Sequence, residues 1–322
     1  MDFAYLLRSA LGIPDYWHPY LEIQPDFLSG KIGRYPVTMD PKANYPGTLS
    51  DEGVPVTYFN GRRFVSPIEI TLYGLGSHDA YIATGDQRYY RQMSCSLDWL
   101  EKHAVSLGDG IGWPYEFDHP VYYLKNPWFS SIVQACGLSL CIRGKHIQAD
   151  HRWSDLAHRA WLGYHAGVEE GGFCRPIEGG VIYEEYPGPE LDCVFNGMCV
   201  SLIGLWEAWQ SGIAPQAEVD FRLGVNGLRS CLPRFSHGAW SLYSLNFCLG
   251  KPLLASPYYH RANGLLAQVI GLMAKDPEFY RYGTRWIETD TSIVRRIAMS
   301  FRIGLDRIVA KPAMLHSDKS KK

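Results

Sequence analysis

The rhythm of hydrophobic residues changes at about position 67. From Pro67 onward, Ile68, Leu72, Leu75, Tyr81 and Ile82 recur at helical spacing until Thr84-Gly85-Asp86 interrupts them. A second amphipathic stretch runs from Tyr89 to His103, so the pair reads as a helical hairpin, with Gly74 and Trp99 marking its two arms. The arrangement recurs from Gly137 through Ala149-Asp150 to Trp161, from Gly204 through Ser211-Gly212 to Leu228, and from Gly264 through Lys275-Asp276-Pro277 to Trp286. Starting glycines at 74, 137, 204 and 264 stand 60 to 67 residues apart, which leaves room in each unit for two helices and a long excursion. A hairpin of this kind has an apolar face that it cannot bury alone, so successive hairpins must stack. The predicted fold is therefore mostly α: an α/α barrel (toroid) of about four helical hairpins, with short β-strands or hairpins in the loops between them. An open solenoid of the same hairpins is the alternative.

Residues 1–66 are rich in turn pairs such as Tyr35-Pro36, Tyr45-Pro46-Gly47 and Asn60-Gly61. They read as an extended N-terminal arm with short strands. The barrel then occupies 67–310 as the catalytic domain, and 311–322, ending Lys319-Ser320-Lys321-Lys322, reads as a flexible basic tail. Loops carried by a rigid scaffold are where chemistry usually sits. Three excursions are long enough to matter: Asp109 to Tyr115, Glu170 to Asp192, and His237 to Pro257.

Composition narrows the class of function. Lys and Arg total 31 against 33 Asp and Glu, without a basic block, which argues against a nucleic-acid partner but leaves room for a local cluster that takes an acidic polymer. The eight cysteines form no CxxC pair and several lie in apolar runs such as Cys136-Gly137-Leu138, so they read as small buried hydrophobes. There is no HExxH or GxxxxGK[ST], and Gly108-Asp109-Gly110-Ile111-Gly112 lacks the context of a dinucleotide site. No cofactor and no metal are expected. No stretch approaches 18 uninterrupted apolar residues and the start lacks the pattern of a signal peptide, so a soluble, cytoplasmic protein without a membrane partner is expected. Aromatic residues make up 14% of the chain, with 21 Tyr and 10 Trp, a supply that suits the faces and hydroxyls of sugars as well as a core.

The second excursion carries Tyr183-Glu184-Glu185-Tyr186-Pro187, followed by Val194-Phe195-Asn196-Gly197 at the head of a helix. Two carboxylates flanked by tyrosines can form an acid/base group, although the same string also occurs on solvated surfaces. In the third, Trp240-Ser241-Leu242-Tyr243-Ser244-Leu245-Asn246 alternates like a strand, with Ser241, Tyr243 and Leu245 on one face. Ser256-Pro257-Tyr258-Tyr259-His260-Arg261 then opens a helix, Ser256 as N-cap and Pro257 in the first turn.

Taken together, these segments resemble the D-glucuronyl C5-epimerase family, which converts D-glucuronate to L-iduronate in heparin-like chains. Tyr73-Gly74-Leu75 and Asn126-Pro127-Trp128-Phe129-Ser130-Ser131-Ile132-Val133-Gln134 are similar to its motifs, as are Glu184-Glu185-Tyr186-Pro187 leading into Phe195-Asn196-Gly197, the Tyr243 strand, and the helix opened by Tyr258-Tyr259-His260-Arg261. The resemblance runs from about residue 30 to 275. It implies an α/α-barrel catalytic domain, commonly a homodimer, acting on an acidic, glucuronate-containing polysaccharide. It places the catalytic Glu-Tyr pair on Glu185 and Tyr186, a strand tyrosine on Tyr243 and a helix-start tyrosine on Tyr259. It implies substrate contacts at Tyr73, Trp128, Gln134, Asn196 and His260. Asn246 stands where the family has an Arg and Asn263 where it has a His, so Arg261, Arg143 or Arg175 would have to neutralise the uronate carboxylate.

Inverting a carbon alpha to a carboxylate needs a base on one face, an acid on the other, and charge stabilisation between them. Glu185 fits the base and Tyr259 the acid, with Tyr186 and Tyr243 hydrogen-bonding the developing oxyanion. A polysaccharide lyase would remove the same proton before β-elimination, and a non-catalytic glycan-binding protein would use the tyrosines only for stacking.

Overall fold

The computed structural model describes residues 3–59, 62–247 and 251–317. The Asn60-Gly61 turn, Cys248 and the last residues of the basic tail lie outside them. In chain order the elements are α1 (Phe3–Leu11), β1 (Thr57–Phe59), β2 (Arg62–Phe64), α2 (Pro67–Thr84), α3 (Gln87–His103), β3 (Val105–Leu107), β4 (Gly110–Gly112), α4 (Ser131–Gln148) and α5 (His151–Leu162). They continue with β5 (Cys174–Ile177), β6 (Gly180–Tyr183), α6 (Phe195–Gln210), α7 (Ala217–Cys231), β7 (Ser236–His237), β8 (Trp240–Phe247), β9 (Lys251–Leu254), α8 (Pro257–Ala274), α9 (Pro277–Asp290) and α10 (Ile293–Ser317). The chain is mostly helical, and every sheet is small and antiparallel.

Four hairpins form where the sequence pattern puts them: α2 packs on α3, α4 on α5, α6 on α7 and α8 on α9. Their corners share a chemistry. Gly85, Ala149 and Lys275 take left-handed backbone at φ 71°, 53° and 54°, which ends the first helix of each pair. The next residue, Asp86, Asp150 or Asp276, then caps the second helix by accepting from the backbone N–H of Arg88 (2.8 Å), Arg152 (3.0 Å) or Glu278 (2.9 Å). The third corner ends on Gly212 at φ 70° without such a cap.

Helices α2, α4, α6 and α8 are buried along most of their length, whereas α3, α5, α7 and α9 bury a single face. This divides them into an inner and an outer set. Each inner helix packs on the next, α2 on α4, α4 on α6 and α6 on α8. The small sheets fall in the excursions: β3–β4 after the first hairpin, β5–β6 after the second and β7–β8–β9 after the third.

The arm is less extended than its turn pairs suggest. Helix α1 packs against α10 and α8, so its apolar residues Tyr5 and Leu6 are buried by partners from the far end of the chain. A nine-residue helix has little stability of its own, and its partner lies beyond any local pattern. Helix α10 extends past position 310 to Ser317, so it covers part of the stretch read as a tail.

One ion pair crosses the inner set. Arg143 of α4 donates to both carboxylate oxygens of Glu207 on α6, at 2.8 and 2.7 Å, and both residues are almost fully buried. Removing one member of such a pair leaves an uncompensated buried charge. Arg143→Met is expected to lower stability by about 3–5 kcal/mol, with most of that recovered in Arg143→Met/Glu207→Leu, as measured by chemical denaturation.

Candidate active site

The second excursion is held by its backbone. The N-terminus of α4 supplies two hydroxyls: Ser130 Oγ donates to Glu185 O at 2.7 Å and Ser131 Oγ to Tyr183 O at 3.1 Å. The Ser131 N–H also donates to Glu184 O at 3.1 Å. The adjacent serines after Trp128 therefore clamp the chain on both sides of the Glu-Glu pair. The two carboxylates then part company. Glu184 is fully buried and accepts from Arg175 Nε (2.9 Å) and from the backbone N–H of Cys193 (3.0 Å) and Asp192 (3.3 Å), so its role is to fold the loop. Among the described residues, Glu185 has no basic partner. Its carboxylate packs over Gly197, where a Cβ would come within 2.4 Å of Oε2, so glycine at the start of α6 is a steric requirement of this placement.

Burial pushes the Glu185 pKa up to about 7, against the opposing hydrogen bonds of the Tyr186 and Tyr243 hydroxyls. The Tyr243 hydroxyl lies 3.5 Å from Oε1, and Oε2 has no hydrogen-bond partner. The Tyr243 ring meets Tyr259 edge-on with centroids 4.9 Å apart. Burial likewise raises the pKa values of Tyr186, Tyr243 and Tyr259 well above the ordinary 10, so all three hydroxyls keep their protons near neutrality.

Glu185, Tyr186, Asn196 and Tyr259 line one cavity of about 430 Å³, within the size range of small-molecule sites. Its other walls include Ile68, Leu72, Tyr115 and Ile132, together with Trp17, His18, Lys42 and Glu69. Asn196 Oδ1 is buried without a partner. Tyr259 is positioned by the arm: Ser256 Oγ accepts from its backbone N–H at 3.4 Å and pairs with the Tyr5 hydroxyl at 2.8 Å, while Ser9 Oγ caps the Tyr258 N–H at 2.9 Å. His18 stands edge-on to Tyr259, with centroids 6.2 Å apart.

Among the described residues, the lysine of this cavity is Lys42, which local sequence gives no reason to select. It sits in a 3-10 turn, Asp40–Ala43, laid so close on α2 that a Cβ at Gly76 would meet Met39 O at 2.5 Å. The only trace in the sequence is that glycine within an apolar helix, and it does not say which segment approaches. Lys42 Nζ lies 4.5 Å from the Tyr16 ring centroid and donates to Trp17 O at 3.4 Å. Burial lowers its pKa, while Glu69 and Asp15 hold it up. Burial raises the Glu69 carboxyl, whose Oε2 has no partner.

Several expected substrate contacts are architectural instead. Gln134 donates through Nε2 to Ile111 O and Ala160 O at 2.7 and 2.6 Å, tying β4 to α5. Arg143 is consumed by Glu207, and Arg175 by Glu184 and Gly188 O. His260 is fully buried and stacked on Trp240 at 3.7 Å. Its Nδ1 accepts from the Ser241 N–H at 3.0 Å and its Nε2 bonds Thr289 at 3.0 Å, and burial lowers its pKa to about 3. Asn263 donates to Leu242 O at 2.9 Å, so it too anchors β8. Trp128 stacks on Tyr115 at 4.3 Å and supports the cavity wall from behind. Tyr73 is buried outside the cavity lining, its pKa pushed up to about 12 by burial. Arg261 reaches a separate cavity of about 210 Å³, donating to the Tyr20 hydroxyl at 3.0 Å. Asn246 lines a third, of about 390 Å³, on the far side of Tyr186. All seven described cysteines are free thiols. No helix among the described residues is long and apolar enough to cross a membrane.

A family profile described as the D-glucuronyl C5-epimerase C-terminus matches residues 108–288. A protein named D-glucuronyl C5-epimerase from Caenorhabditis elegans is 28% identical over 211 residues, which is 60% of this chain. The matched region spans 34% of that relative's length.

A carboxyl whose pKa is raised on folding binds its proton more tightly in the native than in the unfolded chain, so stability falls as pH rises between the two values. For Glu185 that window runs from the ordinary 4.5 to about 7. The wild type is expected to lose stability relative to Glu185→Gln across this interval and to level off above it. Denaturation midpoints that stay parallel from pH 4.5 to 8 would show that the carboxyl is not desolvated.

Proposed function

We propose that this chain, which belongs to the D-glucuronyl C5-epimerase C-terminus family, is an isomerase that inverts C5 of D-glucuronate residues to L-iduronate in a glucuronate-containing polysaccharide of the heparosan kind. The observation that carries the reading is the meeting of Glu185 and Tyr259, 74 positions apart in the chain (259 − 185), on one cavity that also holds a buried lysine. We take the row of four stacked hairpins to close as an α/α barrel, with the arm filling the space between α2 and α8. The proposal includes a homodimer, for which exposed Val294, Leu305 and Leu7 offer apolar surface.

The chemistry follows from the protonation states. The C5–H bond breaks as Glu185 takes the proton, and the electron pair moves into the carboxylate as an enediolate. A carboxyl with a pKa of about 7 is a stronger base than an ordinary one and is substantially ionised at neutral pH. Lys42 pairs with the substrate carboxylate and holds the second negative charge as it develops. Tyr259, protonated at rest, delivers its proton to the opposite face of C5. Transfer from Glu185 through Tyr243 back to Tyr259 restores the starting state, and the reverse reaction exchanges the roles.

Incubation in deuterated water with glucuronate polymers, read at C5 by NMR, tests this. Glu185→Gln is expected to lower isotope incorporation into glucuronate polymers, and Tyr259→Phe to lower formation of L-iduronate, each by about 10²–10⁴-fold with helical circular dichroism unchanged. Lys42→Met is expected to raise KM and lower kcat together. Retained exchange in Glu185→Gln, or retained L-iduronate formation in Tyr259→Phe, overturns the assignment of that residue. Shortened chains with an ultraviolet-absorbing unsaturated uronate would identify a lyase instead.

A further inference from the structure

The third hairpin differs from the other three at both ends. Its corner, at Gly212, lacks the aspartate cap that the others share. At its open end, where the other hairpins carry no cysteine, stand two: Cys193, two residues before α6 begins, and Cys231, the last residue of α7. Helices of 16 and 15 residues are about 24 and 22 Å long, so an antiparallel pair brings the chain back to where it entered. The packing agrees: α6 lies on α7, and the rings of Phe195 and Phe235, close to the two cysteines in sequence, meet edge-on with centroids 4.9 Å apart. The thiols themselves are in contact, the Cys193 S–H donating to the Cys231 sulfur.

Both cysteines are fixed through their surroundings. Cys193 takes left-handed backbone at φ 47°, a conformation that glycine or asparagine adopts with less strain. It is pinned there, because its N–H donates to Glu184 Oε2 at 3.0 Å, the preceding Asp192 O accepts from the Leu245 N–H at 2.9 Å, and the following Val194 pairs with Ser244 of β8. Cys231 ends α7 with Ser230 Oγ 3.8 Å from its sulfur, and leads through the turn Leu232–Phe235 into the sheet that carries Tyr243. A bond between the two sulfurs would fasten the loop of Glu184 and Glu185 to the far end of the same hairpin.

The two thiols are not equivalent. The hydrogen bond from Cys193 draws Cys231 down to about 6, with Ser230 and Arg234 adding to it against the effect of burial. The same bond holds Cys193 well above the ordinary 9, as a donor that keeps its proton. Cys95 and Cys174 are more open to solvent, but burial raises both, Cys174 to about 11. Near neutrality the thiolate is therefore at Cys231, with a second thiol in contact to trap what it forms. Cys231 is 4% exposed and Cys193 fully buried, so a small oxidant reaches the pair and a peptide disulfide does not.

We infer that Cys193 and Cys231 form a reversible oxidation site that takes hydrogen peroxide and closes a disulfide across the mouth of the α6–α7 hairpin. The Cys231 thiolate attacks one peroxide oxygen; an S–O bond forms, the O–O bond breaks, and the departing hydroxide takes a proton to leave as water. Cys193 then attacks the sulfenic sulfur of Cys231; the S–S bond forms, the S–O bond breaks, and the hydroxide carries off the Cys193 proton as a second water. Two thiols lose two electrons and one peroxide becomes two waters. A dithiol reductant returns both thiols. Neither cysteine lines the cavity of Glu185, so this chemistry is separate from that at C5.

The test treats the folded, reduced protein with one equivalent of hydrogen peroxide and maps its cysteines by non-reducing proteolysis and mass spectrometry. Two peptides joined through Cys193 and Cys231 are expected as the main product, formed ahead of any change at Cys95 or Cys174 and reversed by dithiothreitol. The bond closes a loop of 38 residues (231 − 193), and the oxidised protein is expected to gain about 5–10 °C in Tm. Cys193→Ser is expected to stop at a Cys231 sulfenic acid, trapped by dimedone, and Cys231→Ser to give neither adduct nor bond, with circular dichroism checking that each is folded. The wild-type map decides even where a variant misfolds. Oxidised wild type without the Cys193–Cys231 link overturns the inference, as does oxidation of Cys95 or Cys174 before Cys231. A sulfenic acid that persists in the wild type removes Cys193 as its partner. Equal reactivity toward glutathione disulfide overturns the choice of oxidant, and an unchanged Tm in the linked protein overturns the clasp.

Discussion

A carboxylate kept out of water without a cation beside it is the constraint around which this molecule is arranged. Glu185 can be held there only because its backbone carbonyl is fixed by Ser130 and because the start of α6 has no side chain at Gly197 to displace it. The neighbouring Glu184 is bound by Arg175 and two backbone amides, so the loop keeps its register while one of its two acids keeps an oxygen without a partner. Adjacent residues thus occupy opposite regimes, one fully satisfied and one nearly bare. The surrounding tyrosines are neutral hydrogen-bond donors, which moderate the desolvation without cancelling it.

The helical framework was legible because its signals are local. A left-handed corner followed by an aspartate cap announces itself within a few residues, as at Gly85-Asp86 and Ala149-Asp150. Inner and outer helices also differ in composition along their own length. The arm lacked such signals: α1 is short, and what stabilises it arrives from α8 and α10. The position of Lys42 is not written locally for the same reason, since its place is set by the approach of its turn to Gly76 on α2.

The site was legible only in part, and the misses have a common physical origin. Gln134, Arg143 and His260 are polar residues in otherwise apolar surroundings, a pattern that fits a ligand contact and an internal crosslink equally well. In each case the protein itself supplies the partner: two carbonyls for Gln134, a carboxylate for Arg143, a backbone amide and a threonine for His260. A buried polar group must be satisfied somewhere, and the sequence does not say by whom. Glu185, Asn196 and Asp192 are the converse, buried and left incomplete.

The capping of α8 by α1 has a consequence for the order in which the molecule comes together. The Tyr5 hydroxyl that holds Ser256 leaves the ribosome 251 residues before its partner does. During that interval the hairpins built from α2 to α7 can already stack on one another, while the first helix waits with its apolar side uncovered. The cavity is therefore completed last, when α1 meets α8, and a nascent chain lacking the fourth hairpin would have its first three hairpins in place but no Tyr259 at the cavity wall.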